Sequence, residues 1–407
     1  MAAPTLVVTF DFSSGATFGY PFIIGEGVLG LNTLANAAAD IIDISDQVAR
    51  VQINRGYNLL QEDFQAGLAA VRVIDPTGAW NPTNPASPYY GKLVPLRKVR
   101  ISANDAFLYS GYTTAYNYTF DQEQNIGYVD IQLSDAFRLL NMSNLTGVTG
   151  SSAGQTTGER VTAILNTIGF PNSMREIDTG STTVATDPGT PRTALQAVKN
   201  IEFCEQGGFY IAPSGNAEFK SRQYIQEKSG STPIYFSNAG DGINYKNIVT
   251  ALDDKLIVNQ SSITRAGGTA QTAFNEPSAI KYFPHSFTAT DLLLETDAQA
   301  LDVARVYVST RAETTLRIDA LTLDLNSPDY AAGITAALNI DFFDSVKIKN
   351  VGQDGSTIEK TLQCMGVKHD ITPASWLTTF TTSEPIVDAF ILDSSLFGII
   401  GTSVMTY

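Results

Sequence analysis

Apolar and polar residues alternate over 6–12, the period of a strand with one face on a core. A glycine-rich stretch follows (Gly15, Gly19, Gly25, Gly27, Gly30), and apolar periodicity resumes over 41–51, so the start reads as strand, loop, strand. Residues 64–75 predict another strand, stopped by Pro76 and by a turn cluster holding Pro82, Pro85 and Pro88. Prolines this dense exclude a central strand or a helix, because each removes a backbone donor. The segments 98–102, 107–112, 116–120 and 128–133 alternate between short turns and predict an antiparallel sheet, either a barrel or a sandwich.

The texture changes near residue 145. A Gly/Ser/Thr-rich linker over 147–158 leads into helical spacing over 159–169, which Gly169 and Pro171 stop. A second helix is predicted over 193–205. Then come Gly207-Gly208, a strand over 209–212, a turn over 213–216 and a strand over 217–221, a hairpin in a small α+β unit. Beyond 241, strands are predicted at 255–264, 315–325, 345–349, 359–365 and 375–382, with one helix at 297–309. Val99-Arg100-Ile101 ahead of Gly111 parallels Val346-Lys347-Ile348 ahead of Gly366, as two similar sheets would, although so short a match does not establish a duplication.

Length and composition narrow the class. A chain of 407 residues exceeds one ordinary core and fits two to four domains. Charged residues are only 16%, which disfavours charge-laced helices. No run reaches the ~20 apolar residues of a membrane-spanning helix, and the start lacks a signal peptide's basic region; the expectation is a chain made in the cytoplasm with no membrane span. The net charge of −15 argues against wrapping nucleic acid or lying on an anionic membrane.

Candidate chemistry is sparse. Cys204, Cys364, His285 and His369 would all have to converge to form one four-ligand zinc site, so no metal or cofactor is expected. No Gly-x-Ser-x-Gly elbow occurs, and Ser214, the nearest approach, sits in the predicted hairpin turn. Asp253 with Asp254, Asp43 with Asp46, and Asp341 with Asp344 offer carboxylate pairs; adjacent aspartates on a strand diverge, and none matches a Ca²⁺ loop. His369 beside Asp370 lacks a nucleophile, and Cys204 and Cys364 read as buried apolar residues. Gly207-Gly208 and Gly267-Gly268 lack phosphate-loop context. The aromatics of 107–128 (Phe107, Tyr109, Tyr112, Tyr116, Tyr118, Phe120, Tyr128) lack the basic groove of a base-stacking platform and suit a sheet core or a subunit interface. No catalytic, cofactor-binding or metal-binding residue is assigned.

A family likeness does appear. Ile53-Asn54-Arg55-Gly56, Glu62-Asp63-Phe64-Gln65-Ala66-Gly67, Asp75-Pro76-Thr77-Gly78-Ala79-Trp80-Asn81-Pro82-Thr83-Asn84-Pro85 and Ser87-Pro88-Tyr89-Tyr90 closely resemble minor tail proteins of long-tailed phages infecting actinobacteria. Further matches are Gly207-Gly208-Phe209 with 215–222, Val258-Asn259, Trp376-Leu377-Thr378-Thr379 and Leu392-Asp393-Ser394-Ser395-Leu396-Phe397-Gly398. The resemblance implies a mainly β chain in which two β-barrel tube domains flank a smaller inserted α+β domain. The expected division is 1–144 for the first barrel with its N-terminal extension, 145–240 for the middle domain, 241–390 for the second barrel and 391–407 for a C-terminal tail. It also implies a structural virion protein of the tail tip: a homotrimeric baseplate hub ring that closes the six-fold tail tube and forms part of the DNA-ejection channel. Its implied neighbours are the distal tail protein ring, the tape-measure protein and other minor tail or receptor-binding proteins, with DNA passing through unread. The sequence charge suggests that part of the acidic excess faces this channel. The competing readings are a tail-associated hydrolase of host envelope polymers, which a carboxylate cleft would mark, and a receptor- or carbohydrate-binding tail module using the tyrosine-rich segment.

Overall fold

A computed structural model of the chain describes residues 4–13, 15–19, 40–58, 63–326 and 332–385. Most of the 15–40 segment and the whole 391–407 tail, with the 392–398 motif, lie outside the described residues. The first part of the chain is a run of strands: β1 (Leu6–Asp11), β2 (Ile41–Asp43), β3 (Val48–Asn58), β4 (Asp63–Phe64), β5 (Leu68–Asp75), β6 (Lys98–Ala103), β7 (Ala106–Asp121) and β8 (Ile126–Ser134). Alternation places Val51 and Ile53, Val71 and Val73, Val99 and Ile101, and Val129 and Ile131 on one face, all buried. The sequence pattern divides 107–120 into two strands at the polar pair Thr113-Thr114. The backbone instead runs through as one strand with a bulge: Thr113 pairs with Leu133 and Ala115 with Gln132, leaving Thr114 as the extra residue.

The proline-rich segment after β5 plugs this core. The Asp75 carboxylate accepts the N–H groups of Ala79 and Trp80 at 2.8 and 2.9 Å. That turn delivers the Trp80 ring, completely buried, against Phe10, Phe12 and Tyr89. Its indole N–H is satisfied by Gln47 Oε1 at 2.9 Å, and the Ser87 hydroxyl ties the far side of the loop to the Ala79 carbonyl.

The chain then forms α1 (Phe137–Met142), β9 (Asn144–Leu145), β10 (Gln155–Thr156), α2 (Thr157–Thr167), β11 (Arg175–Ile177), β12 (Thr183–Val184), β13 (Arg192–Thr193), α3 (Ala194–Glu205), β14 (Gly208–Ile211), β15 (Ala217–Lys220) and α4 (Arg222–Ser229). Helices α2 and α3 each open on a reciprocal cap, Thr156 with Glu159 and Thr193 with Gln196, which satisfies two otherwise unpaired N–H groups at each start. Gln206 ends α3 in the left-handed region at φ 56°, a geometry that commonly closes a helix C-terminus.

The remainder comprises β16 (Ile234–Ser237), β17 (Asn247–Ala251), β18 (Gln260–Arg265), β19 (Gln271–Phe274), α5 (Glu276–Tyr282), β20 (Ser286–Leu292), α6 (Asp297–Arg311), β21 (Arg317–Asp324), α7 (Gly333–Asn339), β22 (Ser345–Val351), β23 (Thr357–Thr372) and β24 (Ser375–Ser383). Strands β17 and β21 are sheet neighbours, so everything from β18 to α6 is an excursion between two adjacent strands. Its own three-stranded sheet runs β19-β18-β20. Ile263, Leu292, Leu294, Val303 and Tyr307 of the excursion share one apolar cluster with α1, α2, α3, β14 and β15. Buried Asn259 holds its entry: the side chain donates to the Phe283 carbonyl and accepts the His285 N–H.

One large sheet organises the molecule, in the order β17-β21-β24-β23-β3-β5-β8-β7-β6-β1-β2, with β22 and then β16 on β23, and β4 on β3. One apolar cluster underlies both ends, from Val8 and Phe10 to Trp376 and Phe380. Two barrels are the expectation from sequence; among the described residues no sheet closes into a barrel. The reason lies in the pairing. β3 pairs with β23 of the other β unit, which fuses the two units into one open sheet. No helix of the described residues is long and apolar enough to cross a membrane.

Candidate functional site at the sheet junction

The two β units repeat each other. β6, β7 and β8 have 6, 16 and 9 residues; β22, β23 and β24 have 7, 16 and 9. Val99 pairs with Gly111, and Val346 with Leu362, the same register counted from the start of each long strand. The bulge recurs at the same step, between Thr113 and Ala115 and between Cys364 and Gly366. Outward from β8 and β24 the match continues: Val71 lies opposite Ile131 and Val51, while Leu321 lies opposite Phe380 and Ile248. The order β3-β5-β8-β7-β6 is therefore repeated as β17-β21-β24-β23-β22. The sixth strand breaks the likeness, since β1 runs antiparallel to β6 whereas β16 runs parallel to β22.

The units meet where β3 pairs with β23, from Gly56 opposite Gly366 to Val51 opposite Ile371. A Cβ on Gly56 would stand 2.9 Å from the Gly366 Cα and 3.1 Å from the Met365 carbonyl oxygen. Both obstacles are backbone and cannot swing aside. A Gly56→Ala variant is expected to lose about 1–3 kcal/mol to overpacking, read as a lower denaturant midpoint; an unchanged midpoint would show that the strands separate freely here. On the solvent face, Arg50 grips Asp370 across the junction through two hydrogen bonds of 2.9 and 2.7 Å, which holds the Asp370 carboxyl below its ordinary range.

The core side of the junction carries buried polar groups. Arg55 is buried, donates to Asp341 at 3.2 Å and to the Ile211 carbonyl at 3.3 Å, and lies over the Phe342 ring at 4.7 Å. It thereby ties β3 to the segment after α7 and to β14. Asp135 accepts the Gly67 and Phe137 N–H groups at 2.5 and 2.9 Å; burial outweighs these donors and pushes its carboxyl up to about 7. His369 is buried on β23 with Nδ1 at 3.0 Å from the Thr378 hydroxyl. Burial, with Arg55 adding to it, lowers its pKa to about 3, so the imidazole is neutral.

The carboxylate pairs singled out in the sequence do not form catalytic dyads. Asp253 pairs with Arg317 at 3.0 Å, while Asp254 reaches the His285 ring at 3.4 Å. Asp341 and Asp344 each have their own cation, Arg55 and Lys228. Asp43 caps Ser45, and Asp46 sits in the first turn of the short 3₁₀ segment Ser45–Gln47. Ser214 lies in the β14–β15 turn, where its hydroxyl accepts the Asn216 N–H. Cys204 and Cys364 are buried free thiols. Tyr109 and Tyr112 are core, Tyr116 and Tyr118 are half-buried, and Phe120 is exposed. Glu202 and Glu205, which the sequence reading did not single out, are buried carboxylates. Glu202 accepts the Phe209 N–H and pairs with Lys199, and Glu205 accepts from Thr157, Ser181 and Thr182. Only their burial distinguishes them, and a one-dimensional pattern does not report it. No group of three or more His, Cys, Asp or Glu that could hold a metal ion occurs among the described residues.

No family model matches the chain, and no curated protein sequence does. Solved structures do match. The tail protein from Neisseria meningitidis MC58 is 9% identical, with a TM-score of 0.57 over 94% of this chain and 96% of that one. The 43 kDa tail protein of prophage MuSo2 from Shewanella oneidensis is 11% identical, with a TM-score of 0.55 over 85% and 96%. The chain thus has a phage tail-protein fold along nearly its whole length.

Proposed function

We propose that the chain is a structural protein of the phage tail tip, three copies of which form the hub ring that closes the six-fold tail tube. The observation that carries this reading is the repeated five-strand order within one continuous sheet. Two equivalent units per chain let three chains meet a six-fold partner with six similar surfaces. The tail-protein fold supports it. In this reading the barrel belongs to the assembly, and each chain supplies one third of its wall. The distal tail protein ring, the tape-measure protein and other minor tail or receptor-binding proteins are its neighbours, and it performs no reaction of its own.

The sheet's solvent face then lines the DNA-ejection channel. Most of its charges are matched, Arg50 with Asp370, Arg72 with Asp130 and Lys246 with Asp324, and exposed Lys368 and Leu68 stand beside Gln52, Asn54, Gln132, Thr322, Thr379 and Thr381. On this reading the wall is close to neutral and rich in amides and hydroxyls, in place of the acidic lining expected from net charge. Such a wall offers phosphates no uncompensated row of cations to grip.

Light scattering and class-averaged electron micrographs of the purified protein test the reading. The expected particle has three times the 43.8 kDa chain mass and a central hole. A monomer that degrades cell-wall material would reject it in favour of the hydrolase.

A further inference from the structure

The junction between β3 and β23 is a template for a second junction that the chain cannot make with itself. Counted from the shared bulge, Ile371 and Asp370 of β23 correspond to Phe120 and Thr119 of β7. Through their pairs with β5 and β21, Val51 and Gln52 of β3 correspond to Ile248 and Val249 of β17. Within the chain Ile371 lies opposite Val51 and Asp370 opposite Gln52, and Ile371 and Val51 are buried. Their counterparts are less covered: Phe120 is 54% exposed and Ile248 only half-buried, while Val249, the counterpart of Gln52, is 46% exposed and Leu252, just past β17, 67%. The difference is coverage: β3 lies along β23, whereas among the described residues no strand lies along the outer edge of β17 or along the corresponding edge of β7 over 115–121.

These edges also lack protection. Exposed strand edges in monomers are normally blunted by lysine, proline or inward charge. Ala115-Tyr116-Asn117-Tyr118-Thr119-Phe120 and Asn247-Ile248-Val249-Thr250-Ala251 contain no charged residue and no proline, the one charge on the open β7 edge being Asp121 at its end, and most of their residues favour strands. The two strands of the internal junction, by contrast, carry Arg50, Arg55, Lys368 and Asp370.

We infer that β17 of one copy pairs antiparallel with β7 of the next, Phe120 opposite Ile248 and Thr119 opposite Val249, repeating between chains the junction that β3 and β23 make within one. Thr250 follows Val249 on β17 and so lies opposite Tyr118; the extra residue Asp319, which interrupts the β17–β21 register between Val249 and Thr250, belongs to the strand on the other side of β17 and does not enter this contact. The contact is head to tail: every copy offers one β7 edge and one β17 edge, so copies add until a ring closes. The number three rests on the hub reading; the pairing and its register rest on the repeat. The Arg50–Asp370 pair has Asn247 and Thr119 as its counterpart, so this contact has no ion pair at that position.

Paired strands place opposite Cα atoms about 4.5–5.5 Å apart, within disulfide reach. Thr119→Cys combined with Val249→Cys is therefore expected to give, on mild oxidation of the assembled full-length protein, reducible species of two and three copies and none larger. Cys204 and Cys364 do not interfere, because burial pushes both thiols well above their ordinary range. Gln52→Cys with Asp370→Cys, the same geometry inside one chain, should close an intrachain disulfide and shows that cysteine substitution leaves the sheet folded. Thr119→Cys with Ile248→Cys, one residue out of register and on opposite faces, should cross-link weakly. A three-copy particle by light scattering in which the 119/249 pair stays reduced overturns the register and leaves the hub reading standing. A ladder continuing past three copies supports the pairing and overturns the closed trimer. No oligomer at any protein concentration overturns both.

Discussion

A Trp80→Ala variant is expected to unfold about 3–5 kcal/mol more readily than the parent protein, the largest loss anticipated for a single truncation here. Trp80 is completely buried and meets Phe10, Phe12 and Tyr89 at ring-centroid distances of 5.5, 6.5 and 4.9 Å. Phe10 sits on β1, Phe12 just past it with its N–H on the Asp40 carbonyl, and Tyr89 on a loop pinned by Asp75 and Ser87, so the vacated space cannot simply collapse. Truncation also leaves Gln47 without its indole donor. Trp80→Phe keeps most of the ring and should cost much less. Urea titration of both variants checks this, and a loss below about 1 kcal/mol for the alanine would mean that the loop lies on the core without filling it.

The second large effect concerns pH. Neutral His369 has a folded pKa of about 3 against about 6.5 in the unfolded chain. Its contribution is complete above pH 6.5 and is lost as pH falls towards 3. Asp135 has a folded pKa of about 7 against about 3.9 unfolded. Its protonated carboxyl contributes fully below pH 4, and that contribution is lost as pH rises through 7. Between pH 4 and 6.5 the two slopes oppose each other, each up to about 1.4 kcal/mol per pH unit. Asp135→Asn should therefore expose a stability that rises with pH relative to the parent, and His369→Gln one that falls. Denaturant unfolding at half-unit pH steps gives both difference curves. Parallel profiles for all three proteins would rule the mechanism out.

Local pattern made much of this fold legible, and its limits have physical causes. Alternation located β1, β5, β8, β21, β22 and β24 because each buries one face more than the other, and β6 because its polar Lys98 and Arg100 alternate with Val99 and Ile101 although both faces are buried; helical spacing located α2, α3 and α6. Strand β17 escaped notice because Asn247, Val249 and Thr250 are all exposed, so little apolar signal marks it. β7 was divided in two because a bulge puts consecutive polar threonines where alternation expects a break. The junction had no local signature: Arg55-Gly56 matters because of Met365, Gly366 and Asp341, roughly 300 residues away in sequence. Among the residues quoted for the family likeness, Arg55-Gly56 lie at the junction and Asp75, Trp80 and Ser87 in the plug. The faint Val-Arg-Ile and Val-Lys-Ile parallel was the visible part of a repeat that strand lengths and bulge position make plain.

The same long separation sets a timetable for synthesis. β3 is complete once the ribosome has passed Asn58, but its partner is not complete until Ile371 emerges. At about 5–20 residues per second the nascent N-terminal unit waits some 15–60 s with the β3 edge bare, while its other neighbour, β5, is available almost at once. During that interval a second nascent chain can offer the wrong partner. Slower translation or crowded expression should therefore convert soluble chains into edge-paired aggregates before the native partner strand exists.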